Sequence, residues 1–239
     1  MKNLILGLSL CLFSLNIKAE PNAAEIVKKA DLKRGLGNIS HSFKVTITNK
    51  GDTKIEAYKV SFRDMNASLS EQLEPERARG RKMLMKDYDM WLYTPNIKKP
   101  LRISLEQKLS GEVSYGDIAK TNYAEDYDAK IISTEKKNNR DMYRLELTTK
   151  NKKVTYGKID YIVDKKDFAP IEAIFYALSG KPLKRAEFLE FKFIAGNMRS
   201  TKMVIHDFLL PDKISTLIFS EHKPEKFDDS IFNKDSLEF

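Results

Sequence analysis

From Asn38 onward, apolar side chains recur at every second position. Phe43, Val45 and Ile47 alternate with Lys44, Thr46 and Thr48, and Tyr58, Val60 and Phe62 repeat the pattern after the turn sequence Asn49-Lys50-Gly51-Asp52. Period-two alternation around such a turn predicts a β-hairpin. The signal returns at Met83 and Met85, at Trp91 and Tyr93, at Tyr143, Leu145 and Leu147, and at Ile159, Tyr161 and Val163. Leu189, Phe191 and Phe193 follow, then Met203 and Ile205, with Leu217 and Phe219 beyond a Pro211-Asp212 turn. Roughly ten short strands at this spacing predict an antiparallel sheet or barrel. Two stretches depart from it. Ala23, Ile26, Val27 and Ala30 recur at helical spacing within Asn22–Arg34, and Gly35 and Gly37 end that helix. Between Ser110 and Tyr127 the chain is polar and glycine-punctuated, which predicts a long crossing loop with about one helical turn.

Each strand has one apolar face, and that face must be covered. Two arrangements satisfy this: a sandwich of two sheets, or one strongly curved sheet folded around its own apolar side. One short helix is too small to fill a wide concavity, so a curled sheet predicts an apolar cavity.

The first residues have a different character. Lys2, an apolar run from Leu4 to Leu15, and Ile17-Lys18-Ala19 follow the grammar of a cleavable secretory signal, with the cut after Ala19. The run is shorter than the ~20 residues a permanent span requires. Cys11, the chain's one cysteine, lies inside that run behind Leu10, so it does not read as a lipid attachment site. Its removal leaves residues 20–239 without thiol or disulfide chemistry, read as one domain outside the cytoplasm. The net charge of +8 is spread over 42 basic and 34 acidic residues that alternate along the strands. That is the pattern of a solvated sheet face rather than a nucleic-acid groove.

Catalytic constellations are lacking. His41, His206 and His222 are scattered, form no zinc spacing, and read as surface residues. Gly111–Gly116 misses a nucleophile elbow by one residue, and Gly35-Leu36-Gly37 is not completed as a dinucleotide fingerprint. Asp87/Asp89 and Asp126/Asp128 read as turn caps. The chain is therefore read as a non-enzyme without cofactor or metal.

One set of segments is more specific in its order and spacing. It comprises Gly80–Met85, Trp91–Pro95, Arg102-Ile103, Ser110-Gly111 and Ser114–Ile118. Pro170–Glu172, Phe175-Tyr176, Gly180–Lys184 and the closing Phe232 and Leu237-Glu238 complete it. The chain resembles the outer-membrane lipoprotein-sorting protein family, whose members are similar to the periplasmic lipoprotein carrier LolA. It departs from that family at Leu109–Val113, where relatives carry a bulkier stretch containing Phe. The resemblance implies a mainly β fold: a strongly curved antiparallel sheet, an incomplete barrel, with a few helices over an apolar concave face that holds acyl chains. It implies a periplasmic carrier or chaperone for lipoproteins or lipids, acting toward the outer membrane. Its partners would be an inner-membrane transporter and an outer-membrane acceptor, and the protein itself would be a monomer. A lipid sensor or accessory subunit of a membrane transport system is the alternative, and a lipid-modifying enzyme is a third. The candidate lining is Met83, Met85, Trp91, Tyr93, Tyr143, Leu145, Leu147, Phe191, Phe193, Met203 and Ile205. Met83 and Met85 suit an adaptable wall as well as they suit ordinary core. Trp91 and Tyr93 share one strand face while Met90 and Leu92 share the other, and alternation alone does not say which is inside.

Overall fold

The computed structural model describes residues 20–35, 39–50, 55–97, 99–103, 117, 122–137, 139–150 and 153–237. The expected signal segment, the Leu109–Val113 departure and most of the expected crossing loop lie outside the described residues.

The helix expected over Asn22–Arg34 forms as α1 (Ala23–Arg34). Asn22 caps it reciprocally: its side chain accepts the Glu25 N–H at 3.0 Å, and the Glu25 carboxylate accepts the Asn22 N–H at 3.3 Å. Lys33 and Arg34 sit in the last turn, where the helix dipole favours cations. Ile26, Val27 and Ala30 form its buried stripe.

The strands are β1 (His41–Asn49), β2 (Ile55–Asp64), β3 (Ala67–Glu74), β4 (Lys82–Lys86), β5 (Asp89–Tyr93), β6 (Leu101–Arg102) and β7 (Tyr127–Lys137). There follow β8 (Arg140–Thr149), β9 (Lys158–Asp164), β10 (Pro170–Tyr176), β11 (Pro182–Ile194), β12 (Asn197–Asp207) and β13 (Ile214–Pro224). A one-turn helix, α2 (Tyr123–Asp126), leads into β7.

All thirteen belong to one antiparallel sheet, in the order β6-β5-β4-β3-β2-β1-β13-β12-β11-β10-β9-β8-β7. Two meanders are thus joined where the first strand meets the last, with Asn49 opposite Ser215 and His41 opposite Pro224. The sheet is not closed into a barrel. The sandwich alternative is therefore excluded. Twist over so many strands curls the sheet around the apolar face it must bury.

That inner face carries the expected alternation. Phe43, Val45 and Ile47, Tyr58, Val60 and Phe62, and Leu145 and Leu147 all belong to one buried cluster with the α1 stripe. Deviations have local causes. The alternation of apolar positions does not extend to β3, because Ser68, Ser70 and Gln72 occupy its buried positions there. On β11 the inward parity is Lys184, Ala186 and Phe188 rather than Leu189, Phe191 and Phe193. Glu190 then takes φ 52, and the strand changes phase so that Phe191 and Ile194 pack against the core. Phe193 is left 74% exposed.

The outer face of β3–β5 is also covered. The C-terminal segment turns at Asp229–Phe232 and Lys234–Ser236. It lays Phe232 and Leu237 against Ala67, Leu84, Trp91 and Tyr93. The β4 strand is consequently buried on both faces: Leu84 toward this segment, Met83 and Met85 toward Met90 and Ile103.

Candidate functional site: an apolar hollow with buried cations

Large rings occupy most of the concavity. Phe43 stacks on Phe62 with ring centroids 5.6 Å apart, and Tyr156 lies 4.5 Å from Phe175. Between them and α1 remains a hollow of about 50 Å³. Its apolar wall is Phe43, Phe62, Phe175, Phe188, Met203 and Phe219. At ~10–15 Å³ per water by the same measure, it has room for a few waters and not for an acyl chain. The prediction that one helix leaves a wide cavity is thus met only in small part, because aromatic side chains of the sheet itself fill the space.

Arg34, Asp117 and Arg199 reach the hollow from its rim, and the first two are neutralised by ion pairs. Arg34 donates to the Asp31 carboxylate at 2.9 Å, and its guanidinium lies 3.4 Å from the centre of the Tyr123 ring. Asp31 also accepts the Ala124 N–H at 2.8 Å, tying α1 to α2. Burial raises the Asp31 pKa to about 6, against the opposing pull of Arg34. Lys184 forms a buried ion pair with Asp117, which also accepts the Tyr156 hydroxyl at 2.6 Å. These two charges come from Gly180–Lys184 and Ser114–Ile118, two segments of the family resemblance far apart in the chain.

Arg199 differs. Its residue is 4% exposed, and its acceptors among the described residues are all main-chain carbonyls. Nε donates to Ile194 at 3.0 Å, Nη2 to Ala195 at 3.5 Å, and Nη1 to both Leu32 and Gly35 at the end of α1. Beside it, His222 lines the hollow with its ring 5.5 Å from that of His41. His41 is 1% exposed, and none of the four ring nitrogens has a hydrogen-bond partner among the described residues. The expectation that His41 and His222 are surface residues is corrected here. His41 shares the inward parity of Phe43, Val45 and Ile47, and Glu221 at φ 53 turns His222 inward after Phe219.

Burial, the neighbouring His41 and Arg199 depress the His222 pKa to about 4, and burial with Arg199 also lowers His41. Unfolded histidine accepts a proton near pH 6.5, whereas the folded site refuses it until about 4, so acidification through this window favours the unfolded chain. His222→Phe removes the term. The variant is expected to gain stability relative to the wild type between pH 7 and pH 5, read as the difference in denaturant midpoints at each pH.

The eleven candidate lining residues do not share one place. Met203 lines the hollow. Tyr143, Leu145, Leu147 and Ile205 are buried in the surrounding core, and Phe191 packs against it. Met83 and Met85 form a separate methionine cluster, with Met85 reaching a cleft beside Tyr123 and Tyr127. Trp91 and Tyr93 pack under the C-terminal segment on the other face of β5, and Phe193 is exposed. Arg199 and Lys184 were absent from the expected site, although parity marks both. Arg199 falls in step with Thr201, Met203 and Ile205, and Lys184 with Ala186 and Phe188. A cation at an inward position of a strand is the signal that finds them.

A family model described as "Uncharacterized protein" matches residues 64–239. Among solved structures, a LolA superfamily protein from Nitrosomonas europaea is 34% identical, with a TM-score of 0.83 over 90% of this chain and 99% of its own. A domain described as an outer membrane lipoprotein-sorting protein from Vibrio parahaemolyticus is 22% identical, with a TM-score of 0.75 over 91% and 98%. A DUF1329 family protein from Desulfovibrio piger has 22% identity and a TM-score of 0.76 over 90% and 97%. The latter two share the fold. No curated protein matches the chain.

Proposed function

Since the chain belongs to the LolA superfamily, we propose that residues 20–239 form one periplasmic domain that carries acyl chains of lipoproteins or lipids toward the outer membrane. The observation that carries this reading is the aromatic- and methionine-walled hollow beneath α1. Binding is non-covalent: each methylene that leaves water for such a wall gains about 0.8 kcal/mol. No helix among the described residues is long and apolar enough to cross a membrane.

The hollow of about 50 Å³ must widen to admit a chain. The cover that can yield is α1, whose end is held by Arg199 through the Leu32 and Gly35 carbonyls and by Asp31 through Ala124. Sliding a short helix costs far less than parting a strand ladder, because the sheet keeps its hydrogen bonds.

An environment-sensitive apolar fluorophore tests the reading. Saturable, one-to-one binding to purified residues 20–239 is expected, and unlabelled dodecanoic acid should displace the probe. Met203→Trp fills the hollow and should weaken binding by about tenfold, the equivalent of some two methylenes of lost burial. Absence of saturable binding overturns the carrier reading and favours a sensor or accessory subunit.

A further inference from the structure

We propose that the hollow takes an amphiphile with an anionic headgroup, a carboxylate or a phosphate, and that this headgroup docks on the wall made by Arg199 and His222. The inference rests on the acyl-binding reading above and adds the class of headgroup.

Three observations carry it. Of the charged groups that line the hollow, Arg34 is matched by Asp31 and Asp117 by Lys184, while Arg199 meets only carbonyl oxygens among the described residues. Carbonyls and the C-terminal end of α1 supply partial negative charge, so a full cation stays unneutralised in an apolar wall. Next, His222 and His41 hold four buried ring nitrogens with no hydrogen-bond partner among the described residues. Buried polar atoms are nearly always satisfied, and a cluster of unsatisfied ones beside a cation marks a place for an acceptor. An anion here also reverses the reason the imidazoles stay neutral, so His222 can take a proton and donate to it. Finally, the cation, the imidazole and the rings of Phe43 and Phe219 border the same space, with Phe43 and His222 rings 5.4 Å apart. Charge at one side and hydrocarbon at the other is the complement of an amphiphile rather than of a free anion.

The test is displacement of the bound fluorophore at pH 8 by dodecanoic acid, dodecyl phosphate, methyl dodecanoate and inorganic phosphate. Acid and alkyl phosphate are expected to bind about tenfold or more tightly than the methyl ester, the range of a charge-assisted hydrogen bond. Whichever of the two is tighter identifies the headgroup. Arg199→Gln should narrow the ratio to the ester toward unity. If that variant does not fold, His222→Phe should narrow it in part, and the wild-type ratio stands by itself. Equal affinity for acid, phosphate and ester overturns the proposal while leaving the acyl-binding reading intact. Inorganic phosphate binding as tightly as dodecyl phosphate also overturns it, in favour of a free-anion site. Failure of every amphiphile to bind overturns both readings.

Discussion

Phe232→Ala is expected to destabilise the protein by about 3–5 kcal/mol, the range for truncating a fully buried phenylalanine. Phe232 is 0% exposed and sits between the Arg63 guanidinium, 5.7 Å from its ring, and Phe227, 5.9 Å away edge to face. It anchors the C-terminal segment across Leu84 and Trp91, on the side of β4 and β5 away from the hollow. The same variant should therefore expose Trp91 and shift its emission to the red. The measurement is a chemical denaturation curve together with the native emission spectrum. A loss below 1 kcal/mol with unchanged emission would mean that the segment lies on the sheet without holding it. Because Trp91 is under this segment, its emission is also expected to report on the C-terminal cover more than on the contents of the hollow.

The residues that were legible in sequence and those that were not differ in a physical way. Alternation at Phe43–Ile47, Tyr58–Phe62 and Tyr143–Leu147 reports a sheet with one apolar face, and those strands formed with the expected inward side. Alternation is silent on phase wherever both faces are covered. At β4 and β5 the C-terminal segment buries the second face, so Leu84 and Trp91 look as core-like as Met83 and Met85. It also fails where a residue at positive φ shifts the phase, as Glu190 and Glu221 do on either side of β12. The charged wall was hidden for another reason. Arg34, Lys184 and Arg199 read locally as surface cations, and only tertiary contacts reveal which have a carboxylate opposite them. Family resemblance recovered part of what periodicity could not, since its separate segments contributed Asp117 to Lys184 and Phe232 to Trp91.

Asp31→Ala should have a second large effect, and on the cover rather than on the sheet. Asp31 is 4% exposed and serves two partners, the Arg34 guanidinium and the Ala124 N–H, so that one carboxylate joins α1 to α2. Its removal takes the one carboxylate away from a buried guanidinium and a buried amide that both bond to it, and breaking a buried pair costs about 3–5 kcal/mol. The penalty should depend on pH in a defined direction. Burial raises the folded pKa to about 6 from the ordinary 3.8, so the fold holds a proton that the unfolded chain has released. The stability this contributes is complete below the unfolded value and is lost as pH rises through about 6. The Asp31→Ala penalty is thus expected to be larger at pH 4.5 than at pH 8, as measured by denaturation at both. The α1 amides should also exchange with solvent faster in the variant at pH 8, while those of β8 and β9 keep their protection relative to global stability. Unchanged relative exchange in α1 would show that Arg199 and the apolar stripe of Ile26, Val27 and Ala30 hold the helix by themselves, and that the hollow opens by another route.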